Sequence, residues 1–128
     1  MSFLSGLLGN ASQIDPKSIQ NELQDFLIQN ESIQQAFKLI RDMFVFTNYR
    51  LIFIDKQGMT GKRTEFISLP YKHISHFSIE TAGHLDIDSR LNIYMIGHDA
   101  PIAVDFKGNT NLQMVHRTLA HYALNAPS

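Results

Sequence analysis

Cysteine is absent from the 128 residues, which excludes disulfides, thiolate metal sites and cysteine nucleophiles and fits a reducing compartment. Basic charge is scarce as well. The formal net charge is −1, with 11 Lys and Arg against 12 Asp and Glu. The chain therefore has no excess of cations to build the basic face that a duplex demands, and no nucleic-acid partner is expected. Long hydrophobic runs are missing: no apolar stretch approaches the roughly 20 residues that cross a bilayer as a helix. The first basic residue is Lys17, so residues 1–9 lack the positive start of a secretory signal. Together these absences point to a cytoplasmic chain. Catalytic signatures are lacking too. There is no Gly-x-Ser-x-Gly elbow, no Gly-rich phosphate loop before a helix and no His-Glu-x-x-His pattern. No enzymatic activity and no cofactor are expected.

What is present is a globular mixture, 44% hydrophobic and 18% charged, in a length that suits one domain with a short appendage. Phe3, Leu4, Leu7 and Leu8 fall at helical spacing within residues 1–12, a segment too short to hold a helix alone in water. Asp15 followed by Pro16 marks a helix start. Ile19, Leu23, Phe26 and Leu27 then form one apolar stripe, which predicts a one-sided helix ending near Gln29 and Asn30.

From Ser32 the pattern changes to strands. Residues 37–41 lead into Met43-Phe44-Val45-Phe46-Thr47, rich in aromatic and β-branched side chains. Asn48-Tyr49 reads as a tight reversal, with Asn tolerant of positive φ. Residues 50–54 form the next strand, Gly58 and Gly61 punctuate a hairpin loop, and residues 64–69 form another strand that Pro70 stops. Phe77 and Ile79, then Leu91, Ile93 and Met95, then Ile102, Val104 and Phe106 alternate with polar residues, as half-buried antiparallel strands require. A final helix, capped by Asn109 or Thr110, presents Leu112, Val115, Leu119 and Tyr122 on one face before Pro127. The order is N-terminal helices, about seven strands, then a helix.

Phe46-Thr47-Asn48-Tyr49-Arg50-Leu51-Ile52 resembles the strand–turn–strand signature of bacterial pleckstrin-homology domains. Asp55-Lys56-Gln57-Gly58-Met59-Thr60-Gly61-Lys62, Leu69-Pro70-Tyr71-Lys72-His73-Ile74 and Ile79-Glu80-Thr81-Ala82-Gly83-His84-Leu85-Asp86-Ile87-Asp88 are similar to its next three segments, in order. The resemblance covers roughly residues 14–124. It implies a seven-stranded antiparallel sandwich or partly open barrel of two near-orthogonal sheets, capped by a C-terminal helix. Residues 1–30 would form an N-terminal helical appendage and residues 31–126 the PH-like domain. It also implies a tendency to form ring-like homo-oligomers, no enzymatic activity and no settled ligand.

The inositol-phosphate site of phosphoinositide-binding relatives does not carry over. Its loop corresponds to Ile40-Arg41-Asp42-Met43, one Arg beside an Asp where phosphate recognition wants several convergent cations. Lys56, Lys62 and Arg63 cluster in the next hairpin and are the candidates for anionic headgroup contact, against the plainer reading of a solvated hairpin. His84, Asp86 and Asp88 share a face if extended and could suit a divalent metal, although such residues are commonplace on an exposed strand. His73 and His76 read as rim residues. Ser75 and His76, as strand neighbours, should point to opposite faces.

Excess apolar surface is the more informative feature. Both faces of the strand from Met43 to Phe46 are apolar, and a barrel interior covers only one. The other calls for the chain's own helices or a neighbouring subunit, which makes Phe44 and Phe46, with Phe3, Leu4, Leu7 and Leu8, the candidate assembly surface. The favoured reading is a self-associating, non-catalytic module that scaffolds protein or peptide partners. A peripheral binder of anionic membrane lipid is the alternative, and an unsignatured enzyme or metal protein the third.

Overall fold

The computed structural model describes residues 12–39, 42–57, 63–81, 88–106 and 112–127. In chain order it contains β1 (Ser12–Ile14), α1 (Pro16–Leu23), β2 (Ile33–Lys38), β3 (Met43–Thr47), β4 (Arg50–Gln57), β5 (Arg63–Pro70), a 3-10 turn (Tyr71–His73), β6 (Ile74–Thr81), β7 (Ser89–Met95), β8 (Ile102–Phe106) and α2 (Leu112–Leu124). The strands form two antiparallel sheets, a meander β1-β2-β3-β4-β5 and a second meander β6-β7-β8. This is the expected open sandwich with a C-terminal helix, and the described residues hold one short strand more than the expected seven. Residues 1–11, with Phe3, Leu4, Leu7 and Leu8, lie outside the described residues, as do Lys62, His84, Asp86 and the expected α2 caps Asn109 and Thr110.

Side-chain parity along the first sheet builds two hydrophobic layers. Phe44 and Phe46 of β3, Leu51 and Phe53 of β4, and Leu69 of β5 point between the sheets. There they meet Leu91, Ile93, Val104 and Phe106 of the second sheet and Leu112, Val115 and Leu119 of α2. Phe44 stacks across the sandwich on Phe106 at 6.0 Å and tilts against Phe53 at 5.1 Å. Burial of one such side chain contributes about 2–3 kcal/mol. The capping position expected of the C-terminal helix follows, since its apolar face belongs to the same core as both sheets.

The opposite parity, Met43 and Val45 of β3 with Ile52 and Ile54 of β4, faces outward and is covered by Ile19 and Leu23 of α1. The second apolar face of β3 is thus covered by the chain's own helix. A register shift between Ile33 and Gln35 lets β2 serve both layers. It keeps Ile33 and Ala36 on the α1 side while Phe37 enters the inner core, something strict alternation would forbid.

Asp15 caps α1 as expected, its Oδ1 accepting from the Lys17 N–H at 3.0 Å, with Pro16 at the first turn. The helix ends at Leu23, however, and does not reach Gln29. Tertiary contacts override the stripe. The Phe26 carbonyl is taken by Arg50 Nη2 at 2.6 Å, and the Phe26 ring leaves the helix path to stack on Phe66 at 4.4 Å. The positive φ expected of Asn48 belongs instead to Asn30, at 67°.

Candidate binding cleft

The Thr47-Asn48-Tyr49-Arg50 reversal is held by its own side chains. Thr47 Oγ1 accepts from the N–H groups of Tyr49 at 3.0 Å and Arg50 at 2.9 Å, and donates to Glu31 Oε2 at 2.7 Å. Asn48 reaches back to the segment before β2. Its Oδ1 accepts from the Ser32 N–H at 2.8 Å, and its Nδ2 donates to the Asn30 carbonyl at 2.9 Å. Arg50 Nε donates to Glu31 Oε2 at 2.8 Å, Nη2 to Glu31 Oε1 at 2.9 Å and Nη1 to Ser68 Oγ at 2.9 Å. With its donors committed in this way, Arg50 ties the N-terminal segment to the sheet.

Beneath this turn lies a cleft of about 550 Å³. One wall is the Asn48-Tyr49 turn, a second is Pro70, Tyr71 and Lys72, and the third is the end of α2 with Tyr122, Asn125 and Pro127. Tyr71 is buried, and its hydroxyl donates to the Thr47 carbonyl at 2.6 Å. Its ring stacks on Tyr122 at 5.1 Å, and Tyr122 stacks in turn on Phe46 at 5.8 Å. His121 meets Tyr122 edge-on at 5.0 Å. Burial pushes the Tyr71 phenol well above its ordinary value, with the neighbouring Tyr122 and Glu31 adding to the rise. Burial raises Tyr122 as well. Both rings are therefore neutral phenols at physiological pH, suited to contact rather than to proton abstraction.

A second hollow, about 440 Å³, opens at the far end of the second sheet beside Glu80, Asp88, Arg90 and Asp105. Arg90 Nε donates to Asp105 Oδ1 at 2.8 Å on an exposed surface. Asp88 is at this rim, but its expected partners His84 and Asp86 are outside the described residues. Among the described residues no three His, Asp or Glu side chains gather as metal ligands.

The remaining candidates divide plainly. Phe44 and Phe46, expected on an assembly surface, are fully buried in the core between the sheets. Lys56 and Arg63 are not brought together on one face. Lys56 pairs with Thr64 and shares the α1-side parity of Arg50, Ile52 and Ile54, whereas Arg63 shares the inner parity of Ile67 and Leu69. Ser75 and His76, expected to diverge, do meet, with Ser75 Oγ 2.9 Å from His76 Nδ1. The pairing slips between Ile74 and His76, and that irregularity turns the serine toward its neighbour. His73 and His76 are both exposed, and His76 stacks on Tyr94 at 4.2 Å. Among the described residues no helix is long and apolar enough to cross a membrane.

Sequence reasoning placed Tyr122 on the core face of α2 but did not foresee the cleft or the part of Glu31. The rings of Tyr49, Tyr71 and Tyr122 are far apart in the chain and carry no local spacing signal. Glu31 is a lone acid whose only cue is that Arg50 would otherwise be unpaired beside a hydrophobic sheet.

A family model described as Bacterial PH domain matches residues 2–123. Uncharacterized protein YjqA of Bacillus subtilis (strain 168) is 49% identical over 121 residues, which is 94% of this chain and 97% of that protein. Uncharacterized protein YozO of the same organism is 33% identical over 101 residues, 79% and 86% of the two chains. Among solved structures, a pleckstrin homology domain from Shewanella amazonensis SB2B is similar with a TM-score of 0.84 at 46% identity, over 96% of this chain and 99% of that one. A DUF1696 family protein with a pleckstrin-homology domain from Shewanella loihica PV-4 has a TM-score of 0.75 at 42% identity, over 90% and 98%.

Proposed function

The chain belongs to the bacterial PH domain family, and from that premise we propose that it is a non-catalytic assembly module whose copies associate through an open sheet edge. The observation that carries this reading is an exposed aromatic pair beside an edge strand. Phe66 of β5, 40% exposed, stacks on Phe26, 45% exposed, and β5 is the last strand of its sheet. Ile28, 63% exposed, belongs to the same connecting segment as Phe26. An edge strand offers unpaired backbone donors and acceptors as a template for further pairing, and neighbouring apolar rings supply the non-directional part of the association. Two β5 edges meeting each other would close a twofold dimer. A β5 edge meeting a different edge of the next copy would propagate head to tail and close as a ring. An edge left unpaired in the assembly would recruit protein or peptide partners by the same strand addition.

Light scattering after size exclusion tests the reading. The expected result is a discrete multimer for the full chain and a lower mass for Phe66→Lys, which should keep a cooperative melting transition because the ring is outside both buried core clusters. A full chain that is monomeric across the accessible concentration range would overturn it, and so would a Phe66→Lys variant of unchanged mass. Sedimentation with anionic vesicles by the monomer alone would favour a peripheral lipid role instead.

A further inference from the structure

The cleft beneath the Asn48-Tyr49 turn has a chemistry of its own, independent of the assembly reading. Its volume of about 550 Å³ falls within the roughly 300–1,000 Å³ typical of small-molecule sites. Tyr49, 45% exposed, and the partly buried Tyr122 give it aromatic walls. Several polar groups at its rim are already engaged. The Asn48 amide is held by Ser32 and Asn30, the Tyr71 hydroxyl by Thr47, and Asn125 Nδ2 donates to the His121 carbonyl at 2.8 Å. Water in the cleft therefore finds few partners, and an apolar body that displaces it gains.

Among the described lining residues the charge has one sign. Lys72 is exposed, it lines the cleft, and no carboxylate is among the described lining residues. Among the described residues Lys72 has no ion-pair partner. We propose that the cleft binds a small organic acid, an aromatic or alkyl body bearing one carboxylate, with the body against Tyr49 and Tyr122 and the carboxylate facing Lys72. The volume matches a small molecule, and one cation among the described lining residues calls for a single negative charge.

The test compares two probes with the same apolar body and opposite charge, phenylbutyrate and phenylbutylamine, titrated into the full chain at low salt and neutral pH while backbone amide shifts are followed. The acid is expected to shift the amides of Tyr49, Lys72 and Asn125 saturably, and the amine to bind at least about fivefold more weakly, the ratio for one charge contact near water. Lys72→Glu should invert that preference, and added salt should reduce it. Equal titration by acid and amine would overturn the proposal. So would shifts confined to other parts of the chain, or no saturable shift with the acid at millimolar concentration. The wild-type comparison stands whatever Lys72→Glu does to folding.

Discussion

The guanidinium of Arg50 meets the carboxylate of Glu31 along two bonds, Nε to Oε2 at 2.8 Å and Nη2 to Oε1 at 2.9 Å. The Glu31 side chain has no solvent exposure and that of Arg50 has 22%. This fork explains why an Arg follows the Thr47-Asn48 turn. It neutralises a carboxylate that the fold has buried, and its remaining donors fasten Phe26 and Ser68.

Breaking that pair from one side should be costly. Losing one partner of a buried ion pair costs about 3–5 kcal/mol, because the other charge is left without compensation. Arg50 retains some solvent, so Glu31→Leu is expected near the lower end, about 3 kcal/mol. Glu31→Leu combined with Arg50→Met should cost less than the sum of the single changes, since neither charge is then stranded. Urea unfolding of the three variants provides the measurement. Single variants within about 0.5 kcal/mol of the parent would show that the fork contributes nothing.

The same carboxylate sets an acid limit. Burial alone pushes the Glu31 carboxyl up, but the Arg50 bond, the Ile28 N–H at 3.0 Å and the Thr47 hydroxyl together outweigh it and hold the group below its ordinary value. A folded-state value below the unfolded one means full stabilisation above the unfolded value, about pH 4.3, and progressive loss as pH falls through the folded one. Stability of the wild-type chain should therefore decline below about pH 4.3. In Glu31→Gln, which starts less stable, the decline should be shallower because one titrating group is gone. Denaturant midpoints across the acid range decide it, and parallel slopes for the two proteins would sink the assignment.

Strand order, the alternation of β7 and β8, the apolar face of α2 and the Asp15 cap were legible in the sequence because each is a short-range pattern. The end of α1 was not. Phe26 continues the helical stripe of Ile19 and Leu23, yet its ring is claimed by Phe66, 40 positions later, and no local period records that. The double-sided β3 announced a second cover without saying which element would supply it. The cleft had no local signal either. Tyr49, Tyr71 and Tyr122 converge only because the β3–β4 turn, the 3-10 turn and the end of α2 meet at one end of the sandwich.

The cover over β3 gives the last prediction. Leu23, 2% exposed, and Ile19, 5% exposed, are the side chains of α1 that seal Met43, Val45, Ile52 and Ile54. Leu23→Ala removes buried methyl groups at a site whose floor is a rigid sheet, so the cavity collapses poorly and a loss of about 3 kcal/mol is expected. Asn21→Ala, on the exposed side of the same helix, should stay within about 0.5 kcal/mol and reports on helix propensity alone. Deleting residues 1–29 goes further, uncovering the whole outer layer and removing the Phe26 carbonyl that Arg50 holds. That variant should lose its cooperative thermal transition and expose apolar surface to a hydrophobic dye. If it melts as sharply as the full chain, and Leu23→Ala matches Asn21→Ala, α1 does not form part of the folded unit. In that case the outer face of β3 must find its cover in a neighbouring copy.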